Sequence, residues 1–302
     1  MPTDSSKQQP SRRIVLRLAG GLGNQLFQYA AASRLASAND VPLELDPYTG
    51  FAADSYERSF RLAAFNIQNP ILDPGECQVL AGAYVVSRKF RRYREQQLQK
   101  WAKRNFDPWF YGLKIRSTAV VEGWWQSDRY FFDIAPALRK ELRLRLPLTA
   151  NGQKVAERIA ASGVSISVHV RLMQQFSGGG NQVSKRKAVV LSPDYYREAV
   201  AFIKSVRGAA TVFLFSDNPE AAKALQFPCP VEIVSSESAP DYEDLFLMSQ
   251  CDHHVIANST FSWWGAWLGD SRGIVCAPRV FVPFEDMVTA KDAYPENWRV
   301  IG

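Results

Sequence analysis

The chain has 302 residues, 46% of them apolar and 22% charged, with a formal net charge of +6. That is the composition of an ordinary soluble globular protein long enough for two domains, and no apolar run approaches the roughly 18 residues of a membrane span. The mild positive charge suits an anionic small ligand, a nucleic acid or an acidic membrane surface without choosing among them.

Residues 1–13 lack the apolar core of a secretory signal and read as a disordered tail. The cysteines Cys77, Cys229, Cys251 and Cys276 are widely spaced with no C-x-x-C, so buried free thiols and a cytoplasmic location are expected.

Ile14–Leu18 is a β-branched run feeding Ala19-Gly20-Gly21-Leu22-Gly23-Asn24-Gln25. A helical pattern over Leu26–Ser37 follows, then a strand over Val41–Leu45 ending in Asp46. Strand, glycine-rich turn, helix, strand is a βαβ opening, in which glycines let backbone amides approach a phosphate or sugar. Gly21-x-Gly23 followed by Glu44 or Asp46 also imitates a dinucleotide fingerprint, which makes an NAD(P)-dependent oxidoreductase the rival reading. Leu26 stands where that fingerprint wants a third glycine or alanine.

Residues 51–76 read as loop with one strand over Phe60–Ile67. From Cys77 to Asn105 the pattern is helical, with a basic second half. Residues 88–104 are either a solvated face or a peripheral membrane contact, and no nucleic-acid module accompanies them. Thr118–Glu122 is a strand running into Gly123-Trp124-Trp125-Gln126-Ser127-Asp128. Flat rings cover apolar sugar faces while amides and carboxylates read hydroxyls, so Glu122, Trp124, Gln126 and Asp128 are acceptor-binding candidates; core aromatics are the alternative. A charged helix over Pro136–Leu148 closes the first half, and the boundary is placed near Ala150.

The second half alternates. Helices are expected over Gly152–Ala161, over Pro193–Val206 with Ser192 as cap, and from Pro219. Strands are expected over Val164–Arg171, Thr211–Phe215, Val231–Val234 and Gly273–Ala277, with a long polar loop over Met173–Val190. This is a doubly wound parallel sheet. Asp241–Gly269 organises the rest: an amphipathic helix, a strand over His254–Ala257, the turn Asn258-Ser259-Thr260, then Phe261-Ser262-Trp263-Trp264-Gly265-Ala266-Trp267. Such a turn caps a helix whose positive end attracts anions, and the crowding of hydroxyls and tryptophans there reads as a site. His169 and Arg171, Ser216 and Asp217, and Asn258–Ser262 all fall at strand ends, where open α/β sheets bind ligands.

An arginine, a helix start and a nearby carboxylate form a nucleotide-diphosphate site, the guanidinium fork matching the phosphate oxygens. No D-x-D, H-x-x-x-H or Cys/His cluster offers a metal, and neither a P-loop nor a G-x-S-x-G elbow occurs. Metal-independent glycosyl transfer from a nucleotide sugar fits, with no cofactor.

Gly20–Gln25 with Phe27-Gln28-Tyr29-Ala30, Glu122–Ser127, Phe215-Ser216-Asp217 and Asn258–Leu268 together resemble the α-1,2-fucosyltransferase family over about residues 14–280. The resemblance implies a GT-B-type fold of two Rossmann-like domains facing a cleft. Residues 14–150 would be the acceptor side and 151–302 the donor domain. It also implies GDP-β-L-fucose as donor, inversion, and a galactose-containing oligosaccharide as acceptor. By position, Arg171 would hold the β-phosphate with His169 supporting it. Asn258, Ser259, Thr260, Phe261 and Ser262 would bind the diphosphate end, with Ser216 and Asp217 near the nucleoside. Gly21 and Gly23 would face the reacting sugar and Asn24 the reacting centre. The family pattern His-x-Arg-Arg-x-Asp reads His169-Val170-Arg171-Leu172-Met173-Gln174 here. The second arginine and the acid are missing, which leaves Glu122 or Asp128 as candidate bases, a loose transition state needing little base, or an inactive nucleotide-sugar-binding relative.

Overall fold

Ile14, Val15 and Leu16, β-branched or apolar and buried on both faces, make the central strand of a small parallel sheet. In the computed structural model, which describes residues 12–54, 56–82, 104–172, 188–235, 239–269, 272–282, 287 and 289–302, β1 (Arg13–Arg17) lies between β2 (Leu43–Asp46) and β3 (Thr118–Val121). Helix α1 (Leu22–Asn39) crosses from β1 to β2. It is apolar or small on almost every side because the sheet covers one face and the second half of the chain covers another.

After α2 (Ala135–Glu141) and α3 (Ala150–Ala161) the second sheet begins. Its strands are β4 (Ser165–Val170), β5 (Thr211–Ser216), β6 (Val231–Ile233), β7 (His253–Val255), β8 (Val275–Pro278) and β9 (Arg299–Ile301). Their spatial order is β6-β5-β4-β7-β8-β9 and every pair is parallel. Helices α4 (Pro193–Arg207), α5 (Asp241–Gln250) and α6 (Thr260–Leu268) make the crossovers. Ser192 caps α4 by accepting from Tyr195 N.

Several expectations are corrected. Ordered structure starts within the supposed tail, because Arg13 is already in β1 and bonds Glu44 and Glu76. Residues 60–67 form a 3-10 turn (Leu62–Ala64) with one bridge between Phe65 and Leu144, not a strand. Strand β9 lay beyond the expected last strand. The basic stretch 88–103 and loop residues 173–187 lie outside the described residues. Among the described residues no helix is long and apolar enough to cross a membrane.

The tryptophans of α6 are core. Trp263 and Trp264 are fully buried; the ring of Phe27 on α1 is 4.5 Å from Trp263, and Phe131 stacks on Trp264 at 5.4 Å. One apolar cluster therefore runs from the first sheet through α1 into α6. It fixes the two sheets against each other beneath their strand ends.

Candidate functional site

The register of β4 on β5 pairs His169 with Phe215 and Val170 with Ser216. The next residues out, Arg171 and Asp217, therefore leave the sheet side by side. Arg171 Nε lies 3.4 Å from Asp217 Oδ2, and Leu172 N donates to Asp217 Oδ1 at 2.7 Å. Both oxygens of Asp217 brace the Arg171 turn, a placement that the nucleoside role implied by resemblance did not anticipate. Burial pulls the pKa of Arg171 down, Asp217 raises it, and Arg58 lowers it again. The guanidinium stays charged.

His169, one pleat below, is 4% exposed with its ring 5.7 Å from that of Phe261. Among the described residues its Nδ1 has no hydrogen-bond partner. Burial and then Arg171 push its pKa down to about 3. It is neutral near pH 7, able to give or take a hydrogen bond but too weak a base to store a proton.

Strand β7 neighbours β4, and the turn after it starts α6. Ser259 accepts from Phe261 N at 3.3 Å as N-cap. Asn258 donates to Val189 O and Val282 O and pins that turn, while its buried Oδ1 has no partner among the described residues. Ser262 points inward: its Oγ accepts from Ala257 N and donates to Ser259 O, and it is 1% exposed. That is a structural post rather than a ligand contact. The tryptophans that made this stretch read as a site also face away from the cleft, into the core. Crowded aromatics on a short helix are ambiguous in sequence because burial and stacking use the same residues.

The first half supplies the opposite wall. Gly21, Leu22, Gly23 and Asn24 open α1 onto the same cleft, of about 560 Å³, as Arg171, Asp217 and Asn258–Phe261. Gly21 caps α1 without a side-chain bond, and neither α1 nor α6 carries an acid in its first turn. Two positive helix ends thus face one space. A Cβ on Gly23 would stand 2.4 Å from Thr260 C, whereas Gly21 has nothing within 4 Å. Gly23 is glycine for helix-to-helix approach, which removes the dinucleotide reading of Gly21-x-Gly23. Gln28 clamps both polar backbone atoms of Ala19, and Gln25 donates to Gly20 O, so the turn is held rigidly.

The acceptor-side candidates divide. Gln126 lines the cleft and donates to Asn24 Oδ1 at 2.9 Å. Trp124 is 44% exposed beside Gly20, whose Cβ would meet its ring at 3.1 Å. Buried Trp125 between them takes a left-handed φ of 39° and stacks on Phe110 at 4.4 Å. Glu122 and Asp128 are not among the cleft residues. Glu122 pairs with Arg17 at 2.5 Å, and Asp128 opens a 3-10 turn.

Five polar cleft residues escaped the sequence reading: Tyr56, Arg58, Ser235, Asp241 and Asp244. Tyr56 and Arg58 lie in a loop with no periodicity to mark them. Asp241 and Asp244 stand in the first turn of α5, where acids complement the helix dipole and so do not stand out as ligand residues. Asp244 accepts from Ser235 Oγ at 2.6 Å, and burial raises its pKa to about 6 despite that bond, helped by Glu243 and Asp241. The cleft thus carries both signs of charge: Arg58 and Arg171 with Asp217, and Asp241 and Asp244 from the start of α5, the last tied through Ser235 to Ser216 N at the end of β5. Among the described residues no group of three His, Cys, Asp or Glu side chains gathers as a metal site.

The model of "Glycosyl transferase family 11" matches residues 4–302. An alpha-1,2-colitosyltransferase of Escherichia coli is 30% identical over 94% of this chain and 97% of its own length. The galactoside alpha-(1,2)-fucosyltransferase 1 of Ateles belzebuth is 26% identical over 85% of this chain and 66% of its own. Fucosyltransferase NodZ from Bradyrhizobium has the same fold: TM-score 0.52, 17% identity, 86% of this chain and 93% of that one. The parallel sheets, the shared cleft and the full-length match agree with the GT-B-type expectation, and the chain belongs to glycosyl transferase family 11.

Proposed function

We propose that this glycosyltransferase moves L-fucose from GDP-β-L-fucose to the 2-hydroxyl of a terminal β-galactoside, with inversion and without a metal ion. One observation carries the reading: Arg171, braced by Asp217, faces a cleft into which two helix N-termini also open. That is a site built for a diphosphate. Asp244, also lining the cleft, fits guanine, whose N1–H and 2-amino group are both donors. The names of the relatives support the chemistry, and a NodZ structure of the same fold (TM-score 0.51) was soaked with GDP-fucose. The family membership displaces the oxidoreductase reading.

In the reaction the anomeric C–O bond breaks and its electron pair passes to the diphosphate oxygen. Arg171 and the helix amides stabilise that charge where a divalent ion would otherwise act. Neutral His169 adds a hydrogen bond. The acceptor oxygen attacks from the opposite face and loses its proton late, to water, since Glu122 is held by Arg17. Trp124 and Gln126 receive the galactoside.

A second donor reading, transfer of colitose, is favoured by the 30% identity to a colitosyltransferase against 26% to the fucosyltransferase above. Colitose is fucose without its 3-hydroxyl. The test is a screen of nucleotide sugars against one β-galactoside in the presence of a chelator, with the linkage of the product determined. Fucose α-1,2-linked from GDP-fucose is expected; binding of GDP with no transfer from any donor would identify an inactive relative.

A further inference from the structure

Leu172 occupies the position where the resemblance expects a second arginine, and its side chain packs against the core of the second sheet. The other half of the molecule presents a cation to the same cleft. Arg58 lines it together with Arg171 and lies close enough to lower the pKa of Arg171. Among the described residues its ion-pair partner is Asp54 Oδ2, at 3.9 Å, a long pair without a hydrogen bond. Its guanidinium stands 4.5 Å over the ring of Tyr56, a contact that uses the flat face and leaves the N–H edges available. Two like charges across a partly desolvated cleft repel until an anion lies between them.

The loop around Arg58 is held in place. Asp54 Oδ1 accepts from Tyr56 N at 2.8 Å. On the other side, Gln25 donates to Ser59 O and accepts from Arg61 N, each at 2.9 Å. Gln25 also holds Gly20 O, so the glycine turn and the Arg58 segment are one tied unit. An arginine pre-set in this way loses little freedom on meeting a ligand.

We propose that Arg58 is the second cation of the diphosphate clamp, so that one arginine from each half closes on the leaving group. This rests on the GDP-sugar reading above. As the anomeric C–O bond breaks, the electron pair taken by the diphosphate oxygen is shared between Arg58 and Arg171. The acceptor oxygen makes the new bond and releases its proton to water.

The experiment compares the parent with Arg58→Ala and Arg58→Lys, measuring affinity for GDP and for guanosine, and turnover. For the alanine variant a GDP Kd at least tenfold higher is expected, with guanosine within twofold and turnover down roughly 10²–10³. The lysine variant, which keeps the charge but loses the fork, should fall between. GDP affinity and turnover both within threefold of the parent would overturn the assignment, as would equal weakening of GDP and guanosine, which signals a misshapen cleft. If the alanine variant does not fold, the lysine variant decides: a tenfold loss of turnover with an unchanged Tm supports the clamp, and a loss under threefold rejects it. A parent that binds GDP yet transfers no sugar defeats the transfer reading alone, and the GDP arm still tests Arg58.

Discussion

Gly23 on α1 lies so close to Thr260 at the start of α6 that a Cβ there would stand 2.4 Å from the Thr260 carbonyl carbon and 2.5 Å from Phe261 N. The obstacle is backbone, which cannot rotate aside. Gly23→Ala should therefore push the two helix starts apart, costing about 1–3 kcal/mol as overpacking does and weakening GDP binding. Thermal unfolding with and without GDP checks this, and an unaltered Tm would contradict the packing.

Two neighbouring tryptophans should respond differently to the same change. Trp263 Nε1 donates to Ala293 O at 2.9 Å, whereas Trp264 Nε1 has no partner among the described residues. Both replacements by Phe leave a cavity. Trp263→Phe also strands a buried carbonyl, so it should be the more destabilising by about 1 kcal/mol. Denaturant titration of the two variants reads the order directly.

The proposed contact between Asp244 and guanine would tie nucleotide binding to pH. With its pKa raised to about 6, this carboxylate is charged at pH 7 and mostly protonated at pH 5. The sign follows from the raised value: burial of the charge costs native stability in full above pH 6, and that cost shrinks as pH falls from 6 toward the ordinary carboxylate value of 3.8, below which it is gone. If the guanine donors bind the ionised form, GDP-fucose affinity should drop about tenfold from pH 7 to pH 5. Asp244→Asn should flatten that profile. GDP-fucose is the right probe because the terminal phosphate of free GDP titrates in the same window.

Much of this was legible in the sequence because the signals were local. β-Branched runs marked β1, β4 and β5, the last two ending in polar residues, and Ser192 and the Asn258-Ser259-Thr260 turn announced their helices as caps. The parallel order then brought His169, Arg171, Asp217 and Asn258 to one edge. What escaped depends on partners distant in the chain. Glu122 looked like a free acid because nothing in sequence pairs it with Arg17, which is 105 positions away. The tryptophans looked like a binding surface because the first-half residues that bury them, Phe27 and Phe131, lie far upstream. Arg58 and Asp244 reach the cleft only once two halves of the molecule meet across it.

The central claim is that fixed cations stabilise a departing diphosphate at the strand ends of the second sheet. Steady-state transfer from GDP-fucose to a β-galactoside by the parent and by Arg171→Ala tests it most directly. The account predicts that turnover falls roughly 10²–10³ in the variant while it stays folded; turnover within threefold of the parent would contradict it.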